Sequence, residues 1–219
     1  MAVIHRTTVR PTKLELLASW LPSRPWYRGG AGGPELSKAG GFRLDDPRGE
    51  VGIEFMVVAD ASGPAPVTYL VPLTYRGAPL DGAGHALVGT MEHGVLGRRW
   101  AYDGCHDPVL AAQLTELIAG RAQAQDQDVS DMPDREVAAV CAGAVAPAAE
   151  LTAHDDREGT RLSAPRGTTL RVHRVLRPVP DARPALPRGA VGQVTGCWRT
   201  ADGARARGVL AVLHPGAPA

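Results

Sequence analysis

Residues 50–60, EVGIEFMVVAD, constrain the fold more than any other stretch of the chain. Val51, Ile53, Phe55 and Val57 alternate with Gly52, Glu54, Met56 and Val58. A period of two places the first set on one face of an extended strand and the second set on the other. The first face is apolar and the second mixed, so this strand belongs in a sheet with a covered face. Gly41–Asp45 and Thr68–Tyr75 flank it as further strands, and DASGPAP at 60–66 is rich in hairpin residues. Ala86–His93 and Gly97–Tyr102 form another strand pair around Gly94–Leu96.

Two helices punctuate these strands. Val3–Val9 reads as a first strand that Pro11 ends, and Thr12-Lys-Leu-Glu15 follows as a capping box. Leu14, Leu17, Ala18 and Leu21 then recur at helical spacing, which predicts a helix over Thr12–Leu21 stopped by Pro22 and Pro25. Residues 28–41 read as a glycine-rich loop. Asp107-Pro108 starts the second helix. The Asp supplies a cap oxygen, and Pro at the first helical position loses no needed amide bond. Leu110, Leu114, Leu117 and Ile118 stripe that helix to about Arg121. The order predicts an α+β fold, an antiparallel β-sheet with two main helices packed on it.

Residues 122–135 (AQAQDQDVSDMPDR) are polar and non-periodic. They divide the chain into an N-terminal domain over 1–122, a polar linker over 123–135, and a β-rich extension over 136–219. In the extension, Val137–Ala146 is apolar, and Thr168–Arg177, Ala190–Thr200 and Arg207–His214 read as strands. Ala201-Asp202-Gly203 joins the last two as a hairpin. These C-terminal strands are expected to extend the N-terminal fold, either by continuing its sheet or by forming another.

Composition excludes several function classes. The chain has 219 residues with 44% apolar, enough for a sizeable core. A formal net charge of +1 exerts no long-range pull on nucleic acid or anionic membrane. The run Val137–Ala146 is far shorter than the roughly 20 apolar residues of a membrane span. Three scattered cysteines argue against a disulfide scaffold, and the N-terminus shows no apolar signal region. A cytoplasmic protein is the expectation.

Chemically capable side chains concentrate in residues 89–108, GTMEHGVLGRRWAYDGCHDP. Glu92, His93, Arg98, Arg99, Trp100, Tyr102, Asp103 and His106 are the candidate binding residues. Such a run can be an active site, a ligand surface, or a polar hairpin that locks the fold. His93, Asp103, Cys105 and His106 offer metal donors but lack a paired zinc spacing. Cys105 lies beside His106 and just before a helix start, where a thiolate would be stabilised. The alternative is a small semi-buried cysteine. Gly29–Gly33 matches neither a phosphate-binding loop nor a dinucleotide fingerprint, so no cofactor is expected. Along the second strand of the pair, Arg98, Trp100 and Tyr102 should share one face, with Arg99 and Asp103 on the other.

Four segments together resemble one family. They are PTKLELLASWLPSRPWY (11–27), GGFRLDDPRGEVGIEFMVV (40–58), YLVPLTYRGAPL (69–80) and ALVGTMEHGVLGRRWAYDGCHDPV (86–109). They resemble the N-terminal cap domain of actinobacterial maltokinases, over about the first 120 residues. In that family the cap precedes a kinase that phosphorylates maltose for α-glucan synthesis, and the cap itself is a small antiparallel sheet with helices. The resemblance implies regulation or assembly rather than phosphoryl transfer. A phosphotransferase catalytic loop of this kind needs His-Gly-Asp, and none of the seven histidines is followed by Gly-Asp. Phosphotransfer by this chain alone is not expected. The resemblance thus implies a non-catalytic accessory or regulatory module of α-glucan, maltose or trehalose metabolism. Its partner would be a protein such as a sugar kinase or glucan enzyme. The alternatives are a sugar ligand bound by the 89–108 hairpin, or an enzyme centred on the same run.

Overall fold

A computed structural model describes residues 8–129, 131–143, 145, 151–165, 167–180 and 185–216. Among the described residues, twelve strands form two six-stranded sheets, and every strand pairing within them is antiparallel. The first sheet contains β1 (Val9–Arg10), β2 (Leu36–Leu44), β3 (Gly52–Asp60), β4 (Val67–Arg76), β5 (Leu87–His93) and β6 (Gly97–Asp103), in the order β1-β5-β6-β4-β3-β2. The second contains β7 (Ala138–Cys141), β8 (Thr152–Asp155), β9 (Gly159–Ser163), β10 (Thr169–His173), β11 (Gly192–Arg199) and β12 (Arg205–His214), in the order β7-β11-β12-β10-β9-β8.

The helices are minor. α1 (Lys13–Trp20) and α2 (Pro108–Ile118) are the two α-helices of the described residues, so the molecule is mostly antiparallel β and only loosely α+β. Both begin as their sequences require. Thr12 and Glu15 close the capping box at α1, and Asp107 caps α2 by accepting from the Val109 amide.

β3 explains the layering. Ile53, Phe55, Val57 and Ala59 enter a core shared with the second sheet, including Leu162, Leu170, Val172, Val194 and Trp198. Phe42 stacks on Phe55 at 4.4 Å between ring centroids in that core. Met56 and Val58, on the opposite face, pack with Leu17, Trp20 and Leu21 of the α1 region and with Trp26. The face that looks mixed in sequence is therefore also covered. α2 contributes Leu110, Leu114, Leu117 and Ile118 to the shared core.

The structure resolves one open alternative, corrects one expectation and adds a hairpin that the sequence did not mark. The C-terminal strands do not continue the first sheet; they build the second, because β11 and β12 hydrogen-bond to β7 and β10. The stretch 28–41 is a loop only to residue 35, since Leu36–Gly41 belongs to β2. The hairpin β8–β9, which no pattern in the sequence marked, pairs Thr152–Asp155 with Thr160–Ser163. The predicted strand Val3–Val9 lies largely outside the described residues; Val9–Arg10 pairs with Glu92–His93.

Two connections tie the halves together. After β10 the chain leaves the second sheet and bonds to β4: the Leu70 amide donates to Arg174 O (2.9 Å) and the Leu176 amide to Thr68 O (2.8 Å). The polar stretch 123–135 lies on the outer edge of β2, where Gln125 and Arg43 exchange both backbone hydrogen bonds (2.9 Å each).

Candidate functional site

The 89–108 run splits into an interior base and an exposed tip. β5 and β6 form the hairpin, in register from Leu87↔Tyr102 to His93↔Gly97. At its tip, Glu92 and Arg98 form a cross-strand ion pair of 2.7 Å, with both side chains more than half exposed. His93 Nδ1 accepts from the amides of Val95 and Leu96 (3.2 and 3.1 Å), which holds the turn. Val95 and Leu96 themselves are 61% and 45% exposed.

The base is closed. Tyr102 is buried, accepts from the Leu80 amide through its hydroxyl (2.9 Å), and packs with Trp100, Ala83 and Ala86. Asp103 is fully buried and faces Arg174, also fully buried, with Nη2 at 2.5 and 2.6 Å from the two carboxylate oxygens. Asp103 Oδ1 also accepts from the Cys105 amide, capping the tight turn Gly104–His106. Arg174 reaches the site from the sheet-switching segment after β10. Its Nε donates to Thr160 Oγ1 (2.7 Å), Thr160 donates to Asp155 (2.5 Å), and its guanidinium lies 5.0 Å over the Trp26 ring. Burial works against the Arg174 charge, but Asp103, with Cys105 and Asp155 beside it, more than offsets this and holds the pKa above its ordinary value.

Next along the chain, Asp107 accepts two bonds of 2.7 Å from Arg76 in a bidentate pair. His106, half-buried, meets His85 with Nδ1 to Nε2 at 3.1 Å. Burial pushes the His106 pKa down and His85 adds to this, against the pull of Asp103 and Asp155. Arg99 is partly buried with its Nε unpartnered among the described residues.

The faces divide as the period of two requires. Trp100 and Tyr102 sit opposite Arg76 and Thr74 of β4, whereas Asp103 sits opposite Leu73 on the α1 side. The eight candidate residues therefore do not converge on one point. Glu92, His93 and Arg98 gather at the tip, Trp100 and Tyr102 enter a small apolar cluster, and Asp103 is sealed inside. Cys105 is buried, and burial pushes its thiol pKa far up, the reverse of an activated thiolate. Among the described residues no three His, Cys, Asp or Glu side chains are placed to hold a metal ion.

The residue that sequence reasoning missed is Arg174. Its signal was present: Leu170, Val172, Arg174 and Leu176 fall on one face at a period of two, and all are buried. A guanidinium on an apolar face requires a buried acid, and Asp103 supplies it. Two grooves of about 430 Å³ each lie beside residues 120–137, and neither is lined by a residue of the 89–108 run.

Fold and site together define a two-sheet antiparallel β protein whose polar hairpin is structural at its base and exposed at its tip. Residues 20–107, which hold most of the first sheet, match the family model of the maltokinase N-terminal cap domain. The match ends at Asp107, before α2 and all of the second sheet. No curated protein was found to match the chain. No helix among the described residues is long and apolar enough to cross a membrane.

Proposed function

We propose that the protein is a non-catalytic accessory or regulatory module of α-glucan, maltose or trehalose metabolism that acts through protein–protein contacts. The cap-domain match supports the metabolic setting. One structural observation supports contact over catalysis: the strongest chemical groups of the 89–108 run, Asp103 and Asp107, are saturated by Arg174 and Arg76 inside the fold. What the hairpin presents outward is Val95 and Leu96, framed by the Glu92–Arg98 pair. An apolar tip within a polar rim is the pattern of a protein contact. The partner is a sugar kinase or glucan enzyme.

The test is affinity capture from the native host with the wild type and with Val95→Asp/Leu96→Asp. The wild type should retain a sugar-metabolic enzyme and the tip variant should lose it. Reproducible absence of any such enzyme, or equal retention by the tip variant, refutes the proposal.

A further inference from the structure

The seam between the two sheets carries a groove unconnected with the hairpin. It runs between β2 and β11, is lined on its open side by residues 126–128 and 132–137, and has a volume of about 430 Å³, within the range of small-molecule sites. β2 has a bulge here, with a register shift between Lys38 and Gly40. Gly40 and Gly41 have φ of +155° and +137°, a backbone region that favours glycine. A Cβ on Gly41 would lie 2.3 Å from Phe55 O and 3.0 Å from Gln127 Oε1, so glycine lets the β3 backbone and the Gln127 side chain approach closely here.

Two lining side chains hold polar atoms with no hydrogen-bond partner among the described residues. One is Trp198, 3% exposed, whose indole Nε1–H is an unused donor. The other is Gln127, whose buried Oε1 is an unused acceptor. Other buried polar atoms of the described residues also lack a partner, but these two, of opposite type, line one groove, where a ligand that both accepts and donates would satisfy them.

The charges of the groove narrow the class. Asp128 pairs with Lys38 at 2.8 Å and Glu136 with Arg205 at 2.6 Å. Asp126 accepts from the Asp128 and Val129 amides. Asp134, Arg135 and Arg199 complete the charged lining, so Asp126, Asp128, Asp134 and Glu136 stand against Arg135, Arg199, Arg205 and the Lys38 paired with Asp128, and the two signs balance. An apolar ligand would leave the orphans unpaired. A hydroxyl satisfies either orphan, and Met132 offers an apolar wall for a C–H face. We propose that this groove binds a neutral polyhydroxylated ligand of saccharide type, through the Trp198 indole N–H and the Gln127 side-chain carbonyl.

The experiment is NMR titration of the full chain with glucose, maltose and trehalose as separate probes, with inorganic phosphate as the anionic comparison. Of the four tryptophan indole resonances, Trp198→Phe identifies the one to follow, and the other three report that variants remain folded. At least one sugar should move the Trp198 resonance to saturation, and Gln127→Leu should weaken that binding about tenfold through loss of one hydrogen bond. Silence toward all three sugars overturns the site. Competition by phosphate overturns the ligand class. A sugar response unchanged in Gln127→Leu overturns the placement. Val95→Asp/Leu96→Asp should leave the titration unaffected, so failure here and failure of the hairpin contact are separable.

Discussion

Replacing Arg174 by Met is the sharpest test of how this chain is held together. Arg174 and Asp103 are both fully buried and joined by contacts of 2.5 and 2.6 Å, one supplied by the segment after β10 and the other by the end of β6. Met is unbranched and keeps apolar bulk at the site, but it removes the guanidinium over Trp26 and strands the Asp103 carboxylate. Breaking one partner of a buried pair costs about 3–5 kcal/mol, because the remaining charge is desolvated without compensation. For a chain of this size each kcal/mol lowers Tm by about 2–4 °C, so Arg174→Met should lose roughly 6–20 °C.

Asp103→Asn in the same background removes the stranded charge and keeps an oxygen for the Cys105 amide. The double variant Arg174→Met/Asp103→Asn should therefore recover most of the loss, since a neutralised pair often costs little relative to the intact one. Urea unfolding of the wild type, both single variants and the double variant closes the cycle and measures the coupling. A loss below about 1 kcal/mol in Arg174→Met, or strictly additive single effects, would refute the assignment of this pair as the junction of the two sheets.

Three other outcomes follow from the same geometry. Asp107→Ala removes the α2 cap and strands Arg76, so it should cost at least about 2 kcal/mol in urea unfolding, and Asp107→Asn should restore the cap part, about 1 kcal/mol. His106 has a pKa pushed below the ordinary value of about 6.5 by burial, so the unfolded chain binds its proton first as the pH falls. Stability is then complete above pH 6.5, declines from there down to the lower folded pKa, and levels off below it. His106→Gln should reduce the slope of the Tm profile below pH 7, the remainder belonging to His173, whose pKa burial also lowers, and an unchanged slope would contradict this. With a thiol reagent followed by mass spectrometry, exposed Cys141 should react at once, while buried Cys105 should react only as the protein unfolds.

The local elements were legible because their signals are local. The capping box at Thr12, the Asp107-Pro108 start and the Gly94–Leu96 turn each depend on residues within a few positions, and each lies where the pattern placed it. β3 was legible as a strand but not as a strand covered on both sides, because a sequence shows alternation and not what lies opposite each face. The β8–β9 hairpin escaped because its strands are short and carry His154, Asp155 and Arg161 among few apolar residues. The role of Asp103 could not be read from the hairpin at all. Its partner is 71 residues away, and only the inward phase of Arg174 hinted that a buried acid was needed.

The division at residues 122–135 can be tested by cutting there. Without the second sheet, Phe42, Leu44, Ile53, Phe55, Val57 and Leu70 would keep only the cover that α2 gives. Burying such side chains is worth about 1.5–3 kcal/mol each, so six come to roughly 9–18 kcal/mol, an upper bound since an unfolded chain hides part of this surface. That rivals the whole stability of an ordinary domain, about 5–15 kcal/mol. The cut also strands Asp103, adding the penalty of an unpaired buried charge if that site stays dry. A fragment of residues 1–122 should therefore aggregate or remain unfolded alone, and adding a 136–219 fragment should rescue it in trans. Size-exclusion chromatography and amide dispersion by NMR distinguish the outcomes. A monomeric 1–122 fragment with a dispersed spectrum would show that the cap is self-sufficient, and that the second sheet is an appendage rather than half of the core.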